Sequence, residues 1–240
     1  MNQQTQGIVL KQIKYGESSR IVKIYTKDFG LQSYLIKSIK NKKNKERYAG
    51  ILQPLSHLEL TAFNYKKQSL NIFKEGKAYK LFHELHTHPV KILMVFFLSD
   101  LLTFTLKEEQ PDRLLFNFMS QSVELLDKME RNYSNFHLWF MLQLTHFLGF
   151  FPLFNEQNAQ DKFDLLEGKC VTVKSIYTCT LRETELIKTF TIKDFEKVMS
   201  LKINRTDRQK TLAIFLKYYH LHNYNILNLK SLKVLKEVLE

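Results

Sequence analysis

The hydrophobic spacing of this chain changes period once, near His88-Pro89, and that change limits the folds open to it. Before it, residues 7–15 (GIVLKQIKY), 20–26 (RIVKIYT), 31–39, 55–63 and 69–74 are rich in β-branched and aromatic side chains with partial alternation. This predicts five short strands. Gly16-Glu17-Ser18-Ser19, Asp28-Phe29-Gly30 and Asn64-Tyr65 supply turns, and a long polar connection follows the third strand. Such a count suits a small, partly open barrel of the OB type and leaves an SH3-like barrel open. After His88-Pro89 the apolar positions recur at helical spacing. Residues 90–107 are apolar nearly all round, as a central helix should be. Asp112 is expected to cap a second helix to about residue 130, and residues 135–150 form a third, ended by Gly149 and Pro152. Residues 153–190 read as irregular, with strand-like pieces at 170–177. Residues 191–201 read as helical. Thr206, with Gln209 three residues on, reads as the capping box of a long helix to about residue 222, and residues 231–239 close the chain as a short helix. The expected fold class is α+β: an N-terminal OB-fold β-barrel over residues 1–80, then an all-helical C-terminal domain over 81–240 with an irregular insert around 153–190.

Charge follows the same division. Residues 1–80 hold 16 Lys and Arg against 5 Asp and Glu, whereas residues 81–240 hold 20 against 19. Nearly all of the net +12 therefore sits in the first third, the pattern of a polyanion-binding module joined to a neutral partner. The segment 37–47 concentrates six cations, Lys37, Lys40, Lys42, Lys43, Lys45 and Arg47, against one anion, Glu46. Concentrated cations track a phosphate backbone by releasing its condensed counterions. If Val22 and Ile24 face a barrel interior, alternation turns Lys23 and Tyr25 outward, with Tyr34 expected on the same face to stack on unpaired bases. A solvated lysine loop with its tyrosines in the core is the bland alternative. An anionic membrane would prefer a basic amphipathic helix, which the sequence does not offer there.

Other chemistry finds little support. There is no GxxxxGK[ST] loop, no GxGxxG after a strand, no GxSxG elbow and no HExxH helix, so no enzyme class is indicated and work on nucleic acid is expected to need no ATP. His83, His86 and His88 lie close together without a cysteine nearby and read as a polar connector. Cys170 and Cys179 are nine positions apart with no CxxC pair, which does not make a zinc ribbon. No metal and no cofactor are expected. Two cysteines and the absence of a basic-then-apolar leader point to a reducing, cytoplasmic setting.

The stretch GIVLKQIKYGESSRIVKIYTKDFGLQSYLIKSIK resembles the opening of the RecO family of recombination mediators. The shared elements are the Gly-Ile-Val-Leu strand, the Tyr15-Gly16-Glu17 turn, the turn from Thr26 to Gly30 and the closing lysine pattern. Leu52-Gln53-Pro54 matches the family's Leu-Gln-Pro, and residues 229–235 (LKSLKVL) are similar to its closing helix. The resemblance implies an OB-fold followed by helices, binding to single- and double-stranded DNA, and annealing of complementary strands. It also implies work with RecR and single-strand-binding protein to load RecA, in the nucleoid-associated cytoplasm. It assigns the cationic barrel positions to Arg20, Lys37, Lys40 and the lysines that follow. Three departures stand out: Ser38 where a glycine is common, only Cys170 and Cys179 where many members hold four zinc-binding cysteines, and His137-Leu138-Trp139-Phe140 where some carry arginines for the acidic tail of single-strand-binding protein. A metal-free version is therefore expected. Composition alone fits an RNA-binding or ribosome-associated OB-fold module equally well.

Overall fold

The computed structural model describes residues 2–37, 48–63, 70–106, 110–154 and 162–239. Its first five strands, β1 (Asn2–Tyr15), β2 (Ser19–Thr26), β3 (Gly30–Ile36), β4 (His57–Phe63) and β5 (Asn71–Ala78), form a closed barrel in the order β1-β2-β3-β5-β4. Strand β1 pairs antiparallel with both β2 and β4, and β3 meets β5 in parallel. That connectivity is of the OB type and resolves the alternative left by counting strands. Alternation places Val9, Val22, Ile24, Leu58, Leu60 and Phe73 inside. Leu52, from the Leu-Gln-Pro motif, joins them, with Tyr48 and Ile51 packed against the cluster. Gly7 also faces the interior: a Cβ there would sit 2.5 Å from Ile24 Cγ2 and 2.9 Å from Leu60 Cδ2. The Thr26-to-Gly30 turn has a clear cause. The buried Thr26 hydroxyl donates to the Gly30 carbonyl at 2.9 Å and accepts from the Phe29 amide at 3.1 Å, while Gly30 takes φ +64°, a region that favours glycine.

Two helices share the compact unit of the barrel, residues 1–128: α1 (Pro89–Thr105) and α2 (Arg113–Lys128). Helix α1 packs on β1, where the register slips between Val9 and Lys11 and the Ser99 hydroxyl donates to the Leu10 carbonyl. As expected, Asp112 caps α2, its Oδ1 accepting from the Leu114 and Leu115 amides at 2.8 and 3.0 Å. The segment between barrel and helices is clasped by Asp127, which accepts from the amides of His83, Glu84 and Leu85 at 3.1, 2.9 and 2.8 Å. The fully buried Lys91 ammonium donates to the Asp127 carbonyl at 2.8 Å and pairs with Glu84 at 2.5 Å. On the other end of the clasp His57 is buried, stacked on Tyr79 with Phe82 edge-on. Burial, with Lys80 adding to it, pushes its imidazole down to about 4.

Residues 129–240 form the second compact unit. It contains α3 (Phe136–Leu148), the small hairpin of β6 (Lys162–Asp164) and β7 (Lys169–Val171), and helices α4 (Leu181–Phe190), α5 (Phe195–Ser200), α6 (Arg205–Leu221) and α7 (Lys230–Leu239). Helix α3 is tied to its neighbours by polar contacts: Tyr219 donates to the Met141 carbonyl at 2.6 Å, and Gln143 to that of Phe190 at 3.1 Å. The segment 162–179 is organised around the Asp164 carboxylate, which accepts from the Leu166 and Glu167 amides and from the Ser175 and Thr178 hydroxyls. Burial pushes this carboxyl up, but those hydrogen bonds outweigh it and hold the group below its usual range.

Three local expectations are corrected. Residues 181–190 are helical rather than irregular, because Thr180 and Glu183 make a complete capping box. Residues 191–194 interrupt the single helix expected over 191–201; Asp194 caps the short one that follows. Helix α6 begins under Asn204, whose side chain accepts from the Asp207 amide, not under Thr206.

Two outcomes follow from this packing. Gly7→Val should overpack the barrel and lower the unfolding free energy by about 1–3 kcal/mol, read from urea denaturation. His57 binds a proton more weakly folded than unfolded, so its contribution is complete above about pH 6.5 and is lost as pH falls toward 4. Between pH 7 and pH 5 the wild type should lose ~2 kcal/mol through this residue, and His57→Phe should flatten that limb of the stability profile.

Candidate nucleic-acid interface

The barrel surface is unevenly charged, and strand register explains how. Around the Tyr15–Ser19 turn, Lys14 lies directly opposite Arg20, and Arg20 opposite Ile36. Lys37 follows Ile36 and is exposed, so Lys14, Arg20 and Lys37 gather at one end of β1, β2 and β3. Farther along the same sheet Lys11 lies opposite Lys23, and Lys23 opposite Ser33. Like charges placed directly across a strand pair oppose folding by ~0.2–1 kcal/mol. Lys11 is relieved by Asp100 at 3.7 Å. Among the described residues no carboxylate forms an ion pair with Lys14, Arg20, Lys23 or Lys37. Facing cations without counter-ions create a positive field that attracts a polyanion.

The opposite side of the barrel differs. There the outer faces of β1, β4 and β5 and the start of α2 line two polar clefts of about 310 and 230 Å³. Asp28, Glu59 and Glu75 alternate with Lys27, Lys77 and Arg113, and the pairs Lys77–Glu59 and Arg113–Asp28 lie at 3.0 and 3.3 Å. Here carboxylates are interspersed with the cations and pair with Lys77 and Arg113, whereas on the other side Lys14 and Arg20 face one another.

Of the expected site residues, Arg20, Lys23 and Lys37 lie on this sheet, with Lys23 three residues along β2 from Arg20. Lys40, Lys42, Lys43, Lys45 and Arg47 lie outside the described residues. Tyr25 and Tyr34 are corrected. Tyr34 is wholly buried inside the barrel, edge-on to Phe73, and its hydroxyl has no hydrogen-bond partner, so burial pushes its ionisation upward. It lies opposite Val22 and therefore shares the interior face of that residue. Tyr25 does alternate away from Ile24, but it is only 2% exposed. Its hydroxyl accepts from the Asp112 amide at 3.2 Å, at the start of α2. Neither ring offers a face on which a base could stack. Lys14 is the cation that reading of the sequence overlooked. Counting outward from the hairpin turn pairs it with Arg20.

In the helical unit, His137, Leu138 and Phe140 are buried, and Trp139 packs edge-on against Phe195 at 4.8 Å. These positions present no cation. Cys170 lies opposite Phe163 across the hairpin, whereas the Cys179 amide donates to the Phe163 carbonyl at 2.8 Å. Burial, with Glu183 nearby, pushes the Cys179 thiol up to about 12. Among the described residues no group of three His, Cys, Asp or Glu side chains is placed to hold a metal ion, and no helix is long and apolar enough to cross a membrane.

Comparison with known proteins gives the lineage. Residues 1–82 match the family profile described as Recombination protein O N terminal, and residues 86–233 the profile described as Recombination protein O C terminal. The chain is 35% identical over 237 residues to the DNA repair protein RecO of Christiangramia forsetii, covering 98% of each. It is 34% identical over 239 residues to the DNA repair protein RecO of Flavobacterium psychrophilum, covering 99% of each. With that of Bacteroides fragilis strain YCH46 the identity is 33% over 243 residues, covering all of both. Two adjoining profiles and relatives matched over their whole length leave one assignment: this chain belongs to the RecO family.

Proposed function

We propose that this chain is a non-catalytic mediator of recombinational DNA repair. It binds single- and double-stranded DNA through the cationic barrel face, anneals complementary strands without ATP, and works in the cytoplasm with RecR and single-strand-binding protein to load RecA. The observation that carries this reading is the facing of Lys14 and Arg20 with Lys37 alongside, none of them ion-paired to a described carboxylate. Two DNA strands repel one another through their phosphates. A surface that neutralises both lowers that repulsion and releases condensed counterions. The phosphate contacts position the strands and leave base edges available for pairing. The buried Tyr25 and Tyr34 narrow the mechanism: affinity comes from charge on this face rather than from stacking on those rings.

The test is annealing of complementary labelled oligonucleotides without ATP, on bare strands and on strands coated with the cognate single-strand-binding protein. Acceleration on coated strands is expected; acceleration on bare strands alone removes the partner contact from the proposal. With about six phosphate contacts the log-log salt slope on single strands should be near −4, and a slope near zero excludes the electrostatic mechanism. Lys14→Glu combined with Arg20→Glu should weaken binding to a single-stranded oligonucleotide at least ~10-fold and flatten the salt slope by about 1–2, with the circular dichroism spectrum unchanged. Unchanged affinity in a folded variant places the DNA site elsewhere. A marked preference for structured RNA over single-stranded DNA selects the RNA-binding alternative.

A further inference from the structure

The hairpin end that gathers the cations also carries an exposed ring. Of the aromatic residues on β1, β2, β3 and β5, Tyr25, Tyr34 and Phe73 are buried, whereas Tyr15, the last residue of β1, is 54% exposed. It lies opposite Ser19, a side chain too small to cover it. Among the described residues its ring meets no other ring and no cation, and its hydroxyl makes no hydrogen bond. Register sets this ring beside an apolar row. Tyr15 and Ile13, two residues apart on β1, share one side of the strand. Ile13 lies opposite Ile21, Ile21 opposite Leu35, and Leu35 opposite Ile72, and directly opposed residues point to one side of a sheet. That side is the outer one, because Val22, Tyr34, Ile36 and Phe73 point into the barrel core. Ile13 is exposed and Ile21, Leu35 and Ile72 are half-buried. Contiguous apolar surface spanning four strands marks an interaction site.

Two requirements fix the chemistry of what fits there. Lys14 and Arg20 at the same hairpin end, and Lys23 along the sheet, form no ion pair with a described carboxylate and attract a polyanion. The bare ring takes a flat, apolar face. An unpaired nucleotide of single-stranded DNA meets both demands, since its base stacks on an aromatic ring while the strand's phosphates lie against cations. A duplex does not, because its bases are stacked on one another and reaching them costs unstacking. The aliphatic neighbours suit the same ligand, as apolar side chains pack against the methyl group of thymine. We infer that Tyr15 is a base-stacking platform that makes this face favour single-stranded DNA, a role that rests on the DNA-binding reading of the cationic face. Stacking occupies the face of a base and leaves its pairing edge free, so a strand held on Tyr15 is presented to its complement.

The test uses the full-length chain with three fluorescein-labelled probes: a 15-residue oligothymidylate, the same backbone with abasic sites in place of the bases, and a 15-base-pair duplex. Tyr15→Leu keeps apolar bulk and removes the ring, whereas Tyr15→Phe keeps the ring, and thermal melts confirm that both variants fold. By fluorescence anisotropy Tyr15→Leu should bind oligothymidylate at least ~5-fold more weakly than the wild type. It should bind the abasic strand and the duplex within twofold of the wild type and keep the wild-type salt slope, and Tyr15→Phe should match the wild type on every probe. On the wild type, photocrosslinking of an oligomer carrying 5-iododeoxyuridine should label the peptide that contains Tyr15. A folded Tyr15→Leu that binds oligothymidylate like the wild type, a parallel loss on the abasic strand or the duplex, a Tyr15→Phe as weak as Tyr15→Leu, or crosslinks confined to other peptides would each overturn the stacking role. Failure of the underlying DNA reading looks different: a wild type that binds neither oligothymidylate nor duplex, or binds with a salt slope near zero, removes the cationic site and the stacking role with it.

Discussion

The rest of the first unit depends on the double pairing of β1. Residues 2–8 are laddered to β4 and residues 7–15 to β2, so Gly7 and Ile8 pair with both, and the β2 ladder slips in register between Val9 and Lys11. A strand that serves two neighbours closes a barrel and leaves no open edge between them. Closure in turn requires close approach at Gly7, where Ile24 and Leu60 fill the space a Cβ would take. The slip re-aims the strand, as bulges do. Beyond it, the hairpin places cation opposite cation at Lys14 and Arg20 and at Lys11 and Lys23.

One strand therefore has two different surfaces. Near the slip its carbonyl at Leu10 is used by Ser99 of α1, and that helix packs on β1. Burial there removes Ile8, Val9 and Leu10 from water completely. Toward the hairpin the same strand carries Ile13 and Lys14 into solvent. Among the described residues the positive charge of the barrel is consequently not evenly spread. Lys77 and Arg113 are paired with Glu59 and Asp28 on the cleft side, whereas Lys14, Arg20, Lys23 and Lys37 form no ion pair with a described carboxylate. An electrostatic surface of this kind costs some stability through like-charge repulsion, and binding a polyanion recovers it.

Reading the residues alone located all five strands and the central helices, because alternation and helical spacing are local signals. Its misses have local causes as well. The Thr180-x-x-Glu183 pattern is present in the sequence, but it lies in a stretch that reads as irregular, and only its reciprocal hydrogen bonds make it a cap. Asn204 competes with Thr206 as a cap, and only the observed hydrogen bond to the Asp207 amide separates them. For Tyr25, alternation gave the correct outward direction, yet the backbone of Asp112, 87 residues away, supplies its cover. Tyr34 was assigned to the wrong face, since a one-residue uncertainty in strand phase inverts every side chain.

The sequence by itself determined the order of barrel and helices, the concentration of positive charge in the first third and the family, since each is carried by composition, by period or by contiguous motifs. Only the tertiary structure decided which cations face one another, which tyrosines are hidden and which aliphatic residues line up across four strands. Those properties belong to pairs of residues brought together by register and closure, and the interaction between distant strands is not a property of any window of the chain.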